Sequence, residues 1–320
     1  LLKISLGKNW RLMQHDTAET RKSASTALPR LICGFNLPER MCSSMLDLQL
    51  LNSVNEIAIA AGREILDVYN SAQAIEVSTK SDDSPLTDAD RRAHLLIVDR
   101  LSSLTPDIPL LSEESDAIDY GLRKAWQRYW LIDPLDGTKE FINRNGEFTV
   151  NIALIENGQS VAGVVHVPVT GVSYFGGTRI GAWKQDTNQS GSEAKPISSR
   201  PMQDHSDVRI VASRRHLGEQ LEALVGKIEN HFGKATLLSM GSSLKMCLLA
   251  EGSADIYPRM APTCEWDTAA AHGILCAAGG EIVDLQFRPL RYNSKPELLN
   301  PFFIALADRA YPWQQLLDKQ

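Results

Sequence analysis

Residues 129–141, Tyr-Trp-Leu-Ile-Asp-Pro-Leu-Asp-Gly-Thr-Lys-Glu-Phe, restrict what this chain can become more than any other stretch. Tyr129 to Ile132 is a short apolar run bounded by turn residues, the pattern of a buried strand. It ends in a carboxylate, Asp133. Pro134 then fixes φ and turns the chain, and a second carboxylate, Asp136, precedes Gly137 and Thr138. Gly137 permits close backbone approach to a ligand. The N–H groups of Gly137 and Thr138 can face an anion if a helix starts there. Two hard oxygen donors beside such a cradle suit Mg²⁺ holding a phosphate. Asp-Pro and Asp-Gly pairs also form ordinary solvated turns, so the rest of the chain must decide between the two.

Upstream, residues 1–44 show no sustained periodicity and read as a disordered or non-native extension. Their start is too short and polar for a signal sequence. From Met45 to about Tyr69, apolar residues recur at helical spacing and predict an amphipathic helix. Thr87-Asp88-Ala89-Asp90 reads as a capping box that opens a second helix running to Leu104; on that reading Asp88 and Asp90 are helix caps. Leu110-Leu111 leads into Glu113-Glu114, acids that follow a strand end as Asp133 does. Two strand ends presenting acids can converge on one cation, although a Glu-Glu pair is also an ordinary surface feature.

Downstream, Phe148 to Glu156 and Gln159 to Val167 are β-rich runs joined by Asn157-Gly158, a strong hairpin signal. Further strands at Val172 to Phe175 and Ile180 to Lys184 complete a largely antiparallel sheet, followed by a polar stretch from Gln185 to Lys195. From Val208 the rhythm changes to alternating strand and helix, predicting a second, α/β region. Its last long helix, Asp267 to Ala278, closes on Gly279-Gly280. Asp267 reads as an N-cap or as a cleft residue where the two regions meet. The expected organisation is therefore 45–203 as an α+β metal-binding region and 204–320 as an α/β substrate-binding region. There is no internal repeat, Walker P-loop or dinucleotide fingerprint.

The formal net charge of −6 argues against nonspecific nucleic-acid binding. Five cysteines, odd in number and without CxxC spacing, read as reduced thiols rather than a disulfide framework or zinc site. No apolar run approaches the length of a membrane span.

Asp88, Glu113-Glu114, Asp133-Pro134-Leu135-Asp136-Gly137-Thr138 and Trp266-Asp267-Thr268-Ala269-Ala270, in that order, resemble the Mg²⁺-dependent, lithium-sensitive phosphatases of the inositol monophosphatase superfamily. Each piece alone is weak; the ordered set is specific and covers the chain from about Met45 onward. Gly137-Thr138-Lys139-Glu140-Phe141, Asn145 to Asn151 and Ala250 to Arg259 are similar to the CysQ-type 3′(2′),5′-bisphosphate nucleotidase branch. Cys264-Glu265 before Trp266 departs mildly from the family pattern.

The resemblance implies a sugar-phosphatase-like alternating αβαβα sandwich that binds two Mg²⁺ ions, or three. Glu113, Asp133 and the Leu135 carbonyl would hold one ion; Asp133, Asp136 and Asp267 would hold a second. Asp88 would hydrogen-bond Thr138, and these two with Glu113 would orient and deprotonate water. Gly137, Thr138 and Lys139 would meet the phosphate, His216 and Lys245 the adenosine and 5′-phosphate. The implied reaction is hydrolysis of the 3′-phosphate of adenosine 3′,5′-bisphosphate to AMP, with the 3′-phospho-5′-phosphosulfate form as a further substrate. The alternatives are an inositol monophosphatase or broad sugar phosphatase, and a non-catalytic Mg²⁺/nucleotide sensor. The resemblance implies a cytoplasmic location, with peripheral association at the inner face of the bacterial membrane as in some relatives.

Overall fold

The computed structural model describes residues 46–71, 77–79, 85–189, 193–203, 207–212 and 219–317. The extension expected at 1–44, and His216, lie outside them. The chain runs α1 (Leu48–Tyr69), β1 (Val77–Thr79), β2 (Pro85–Thr87), α2 (Asp88–Leu104), β3 (Leu110–Ser112), α3 (Tyr120–Arg123) and β4 (Arg128–Asp136). It continues through α4 (Thr138–Ile142), β5 (Thr149–Glu156), β6 (Gln159–Val167), β7 (Val172–Gly177), β8 (Gly181–Asp186) and β9 (Lys195–Ile197). The last third holds β10 (Val208–Ala212), α5 (Glu219–Phe232), β11 (Ala235–Ser239), α6 (Leu244–Ala250), β12 (Ile256–Arg259), α7 (Trp266–Ala278), β13 (Glu281–Asp284), β14 (Phe303–Leu306) and α8 (Trp313–Leu317).

Two larger sheets result. One has the order β3-β4-β5-β6-β7-β8-β9, antiparallel except for the parallel β3–β4 pair. The other has the order β11-β10-β12-β14-β13, with β11, β10 and β12 parallel and the remaining pairs antiparallel. The Asn157-Gly158 hairpin forms as expected: both residues have positive φ, 50° and 73°, as a tight primed turn requires.

Alternation along the strands builds the layers. In β4 and β5, Trp130, Ile132, Ile152 and Leu154 face α1 and α2 and share a core with Val54, Ile65 and Ile97. Tyr129, Leu131, Ala153 and Ile155 face the opposite way and pack with Ala270, Ile274 and Leu275 of α7. The same cluster includes Val211, Tyr257 and Phe303 of the second sheet, so α7 is buried between the sheets. The far face of the second sheet packs Ile210, Ile256 and Ile304 with Ile228 of α5 and Trp313 of α8. These are the five alternating layers expected from the resemblance. The first sheet ends at β9 and the second begins at β10, on either side of the expected boundary near residue 203, yet both belong to one compact unit.

Candidate active site

The layers bring the acids together through one irregularity in β4. Three residues apart on a regular strand, Asp133 and Asp136 would point to opposite faces. The register slips between them: Asp133 lies opposite Asn151 and Asp136 opposite Thr149, so three residues on β4 span two on β5. The bulge inserts one residue, and Pro134, with no N–H to give the ladder, is one of the residues it accommodates. Both aspartates therefore turn to the face that carries α7. Gly137 follows in a left-handed conformation at φ 94°, where a side chain would also crowd the Glu147 carbonyl at 3.3 Å, and α4 starts beyond it.

Across the cleft, Asp267 sits in the first turn of α7 and its Oδ2 accepts from the Cys264 N–H at 2.9 Å. One ligand atom from each of Asp133, Asp136 and Asp267 lies within 4.8 Å of the others. Glu113 joins them from the end of β3, its N–H bonded to the Ile132 carbonyl next to Asp133. Burial first, then the charges of Glu113, Asp136 and Asp267, hold the Asp133 carboxyl well above the usual carboxylate range. Asp267 is raised likewise, by burial and then by Asp136. A set of hard oxygen donors crowded until their own charges oppose ionisation fits a divalent cation such as Mg²⁺, which neutralises them.

Asp88 is not where expected. Its carboxylate turns outward onto Arg91 and Arg92, both at 2.5 Å. Asp90 instead is buried: its Oδ2 accepts from the Thr87 N–H at 2.8 Å and the Thr87 hydroxyl at 2.6 Å, and its Oδ1 from the Thr138 hydroxyl at 3.4 Å. Helical geometry explains the exchange, since residues two apart on a helix point to nearly opposite sides. The capping box exists, and the residue expected only to cap is the one that reaches Thr138.

A cavity of about 350 Å³ opens beside the acids, lined among others by Asp136, Lys139, Glu147, Lys245, Arg259 and Asp267. Lys139 is exposed at its rim. Lys245 is buried and donates to the Ser242 carbonyl at 2.6 Å and the Met240 carbonyl at 3.5 Å, with its ammonium 5.5 Å from the centre of the Tyr257 ring. Burial brings its pKa down to about 8, against the pull of the Asp136 charge. Lys245 thus braces the turn before α6 as well as facing the cavity.

Further residues complete the site. Glu147 accepts the Gly241 N–H at 2.7 Å, tying the loop after α4 to the loop before α6. Ser243 gives both its N–H (2.7 Å) and hydroxyl (2.9 Å) to Asp136 Oδ2. Asn151 donates to Ser243 Oγ at 2.9 Å. Glu147, Asn151 and Arg259 lie in the runs that carry the subfamily resemblance, the one signal that pointed at them.

From residue 47 to residue 310 the chain matches the model of the inositol monophosphatase family. The chain belongs to that family. Within it, the chain is 46% identical over 254 residues to the 3′(2′),5′-bisphosphate nucleotidase CysQ of Escherichia coli strain K12, a match spanning 79% of this chain and 98% of the relative. The crystal structure of CysQ from Bacteroides thetaiotaomicron, described as a bacterial member of the inositol monophosphatase family, superposes with a TM-score of 0.71 at 43% identity. It covers 82% of this chain and 98% of that one. An inositol monophosphatase from Anabaena shares the fold at a TM-score of 0.61 and 23% identity, covering 81% and 91% of the two chains. The family member described here therefore falls within the CysQ-type nucleotidases.

Proposed function

We propose that this chain is a Mg²⁺-dependent bisphosphate nucleotidase that removes the 3′-phosphate of adenosine 3′,5′-bisphosphate, releasing AMP. The observation that carries the reading is the convergence of Asp133, Asp136 and Asp267, with Glu113 beside them, on the wall of a cavity that also presents Lys139, Lys245 and Arg259. The similarity to CysQ supports the nucleotide as substrate.

Glu113, Asp133 and the Leu135 carbonyl would hold one Mg²⁺, and Asp133, Asp136 and Asp267 a second. When bound there, Mg²⁺ supplies charge neutralisation and Lewis acidity for attack at phosphorus. The Thr138 hydroxyl, held toward Asp90, orients the attacking water, whose proton passes through Thr138 to Asp90 or to Glu113, while the leaving 3′-oxygen takes a proton from solvent water. The N–H groups of Gly137 and Thr138 receive phosphate oxygens at the edge of the cavity. Lys245 and Arg259 provide positive charge for a second phosphate, whose presence distinguishes this substrate from a simple sugar phosphate. We place the enzyme in the cytoplasm. In support, the three described cysteines, Cys247, Cys264 and Cys276, are all free thiols, and no helix among the described residues is long and apolar enough to cross a membrane.

Phosphate release with Mg²⁺ would be measured in parallel from adenosine 3′,5′-bisphosphate, inositol 1-phosphate and fructose 1,6-bisphosphate, with and without Li⁺. Preference for the nucleotide and inhibition by Li⁺ are expected. Preference for inositol 1-phosphate would keep the metal site and overturn the substrate pocket. No release from any of the three, with Mg²⁺ bound, would replace catalysis with a sensor role.

A further inference from the structure

Asp136 has two carboxylate oxygens, and the protein occupies one of them. Oδ2 accepts from the Ser243 N–H at 2.7 Å, the Ser243 hydroxyl at 2.9 Å, the Asn151 amide at 3.4 Å and the Thr149 hydroxyl at 3.5 Å. Among the described residues no hydrogen bond reaches Oδ1. We propose that Ser243, supported by Asn151, is a positioning residue for the metal site: it clamps Asp136 by one oxygen and so aims the other at the space shared with Asp133 and Asp267. The proposal rests on the reading of that space as a Mg²⁺ site.

The argument is one of geometry and valence. An aspartate with both oxygens loose turns about its terminal torsion, which is broad, and a loose ligand loses affinity because it must be ordered on binding. Two donors from one residue on one oxygen remove that freedom. Ser243 is nearly fully buried, so water does not substitute for the missing donors. Its hydroxyl has a single hydrogen and two acceptors within reach, Asp136 Oδ2 at 2.9 Å and the main-chain carbonyl of Asp267 at 2.6 Å. Its oxygen meanwhile accepts from Asn151. One hydroxyl therefore touches a ligand of β4, the backbone of a ligand on α7 and a side chain of β5. It lies where the two halves of the acidic cluster must be held in register. Alanine at this position keeps the N–H and loses the hydroxyl, which isolates the contribution.

The test is calorimetric titration of Mg²⁺ into substrate-free protein for the wild type, Ser243→Ala, Asn151→Ala and Thr149→Val. Ser243→Ala is expected to weaken Mg²⁺ binding about 10- to 100-fold, the usual effect of removing a group that orients a ligand. Its melting temperature in EDTA should fall by only a few degrees, the cost of leaving the buried partners of the lost hydroxyl unpaired. Asn151→Ala should weaken binding by a smaller factor, since the Ser243 hydroxyl remains, and it carries the test if Ser243→Ala does not fold. Thr149→Val should stay within about threefold of wild type, because a 3.5 Å contact is at the limit of a hydrogen bond. Unchanged affinity in Ser243→Ala, or equal losses in all three variants, would overturn the proposal. A wild-type protein that takes up no Mg²⁺ would overturn the metal reading beneath it, a separate failure visible before any variant is made.

Discussion

Asp88 and Asp90 stand two residues apart in the same first turn, and they do opposite jobs. Asp90→Asn leaves a group that can still meet Thr87 but no longer accepts a proton from Thr138. Its expected effect is a loss of about 10²- to 10⁴-fold in kcat, the range for a positioned proton acceptor. Asp88→Asn, which only releases Arg91 and Arg92 at the surface, should leave kcat within about twofold, since exposed pairs contribute little. Steady-state kinetics on the two variants decide between them; a large loss in Asp88→Asn would restore the expectation from sequence. That expectation shows where local pattern stops. Thr-Asp-Ala-Asp announces a helix start, but which acid faces inward depends on how α2 lies against β4. The Asp136–Ser243 pair, 107 residues apart, has no local signature at all.

The acids also set a pH dependence. In metal-free protein the folded-state pKa values of Asp133 and Asp267 lie above their unfolded values. These groups therefore favour folding when protonated, and that stability is lost as pH rises from the ordinary carboxylate value near 4. His166 and His272 act in the other direction. Burial lowers both to about 4, so their contribution is present above about 6.5 and lost as pH falls. The histidines are common to both states of the metal site and cancel in a comparison. The melting temperature with Mg²⁺ minus that with EDTA should accordingly grow from about pH 5 to pH 8, since the ligands must be deprotonated to bind. A difference that is flat across this range in scanning calorimetry would contradict the crowded-carboxylate account.

At the scale of elements, the approach of α7 to the first sheet is what delivers Asp267. Gly163 in β6 makes that approach possible: a Cβ there would lie 1.9 Å from the Ala270 carbonyl oxygen. Gly273 of α7 repeats the device from the other side, against the Ala162 backbone. Gly163→Ala should cost about 3 kcal/mol or more and lower the melting temperature by roughly 5–10 °C. It should weaken Mg²⁺ binding too, because the helix retreats with its aspartate. Gly226 is the control. It lies inside α5 with nothing within 4 Å of its would-be Cβ, so Gly226→Ala should stabilise by roughly 0.5–1 kcal/mol. The elements themselves were legible in outline. Periodicity gave α1, the capping box opened α2, Gly279-Gly280 closed α7, and Asn157-Gly158 gave the β5–β6 turn. The helix expected from Met45 begins at Leu48 because Asp47 caps it, accepting the Leu50 N–H at 2.8 Å. The short β9 and the β4 bulge were not legible, since both are products of pairing rather than of composition.

For the whole molecule, the five-layer order has a consequence for motion. In α7, Thr268 to Leu275 are all buried. Both sheets contribute to the core around it, so no single layer can lift away and expose its backbone to solvent. Amide protons along this helix should therefore exchange with deuterium only when the entire fold opens, all with one common opening free energy equal to the global stability. Those of α5, on an outer layer against α8, can exchange through smaller excursions. Mass-resolved exchange would show the contrast directly, and fast exchange in α7 would mean that the centre of the sandwich breathes. The helix that carries one wall of the catalytic cleft is then also the last to yield, and a substrate meets that wall as a fixed surface throughout the lifetime of the folded protein.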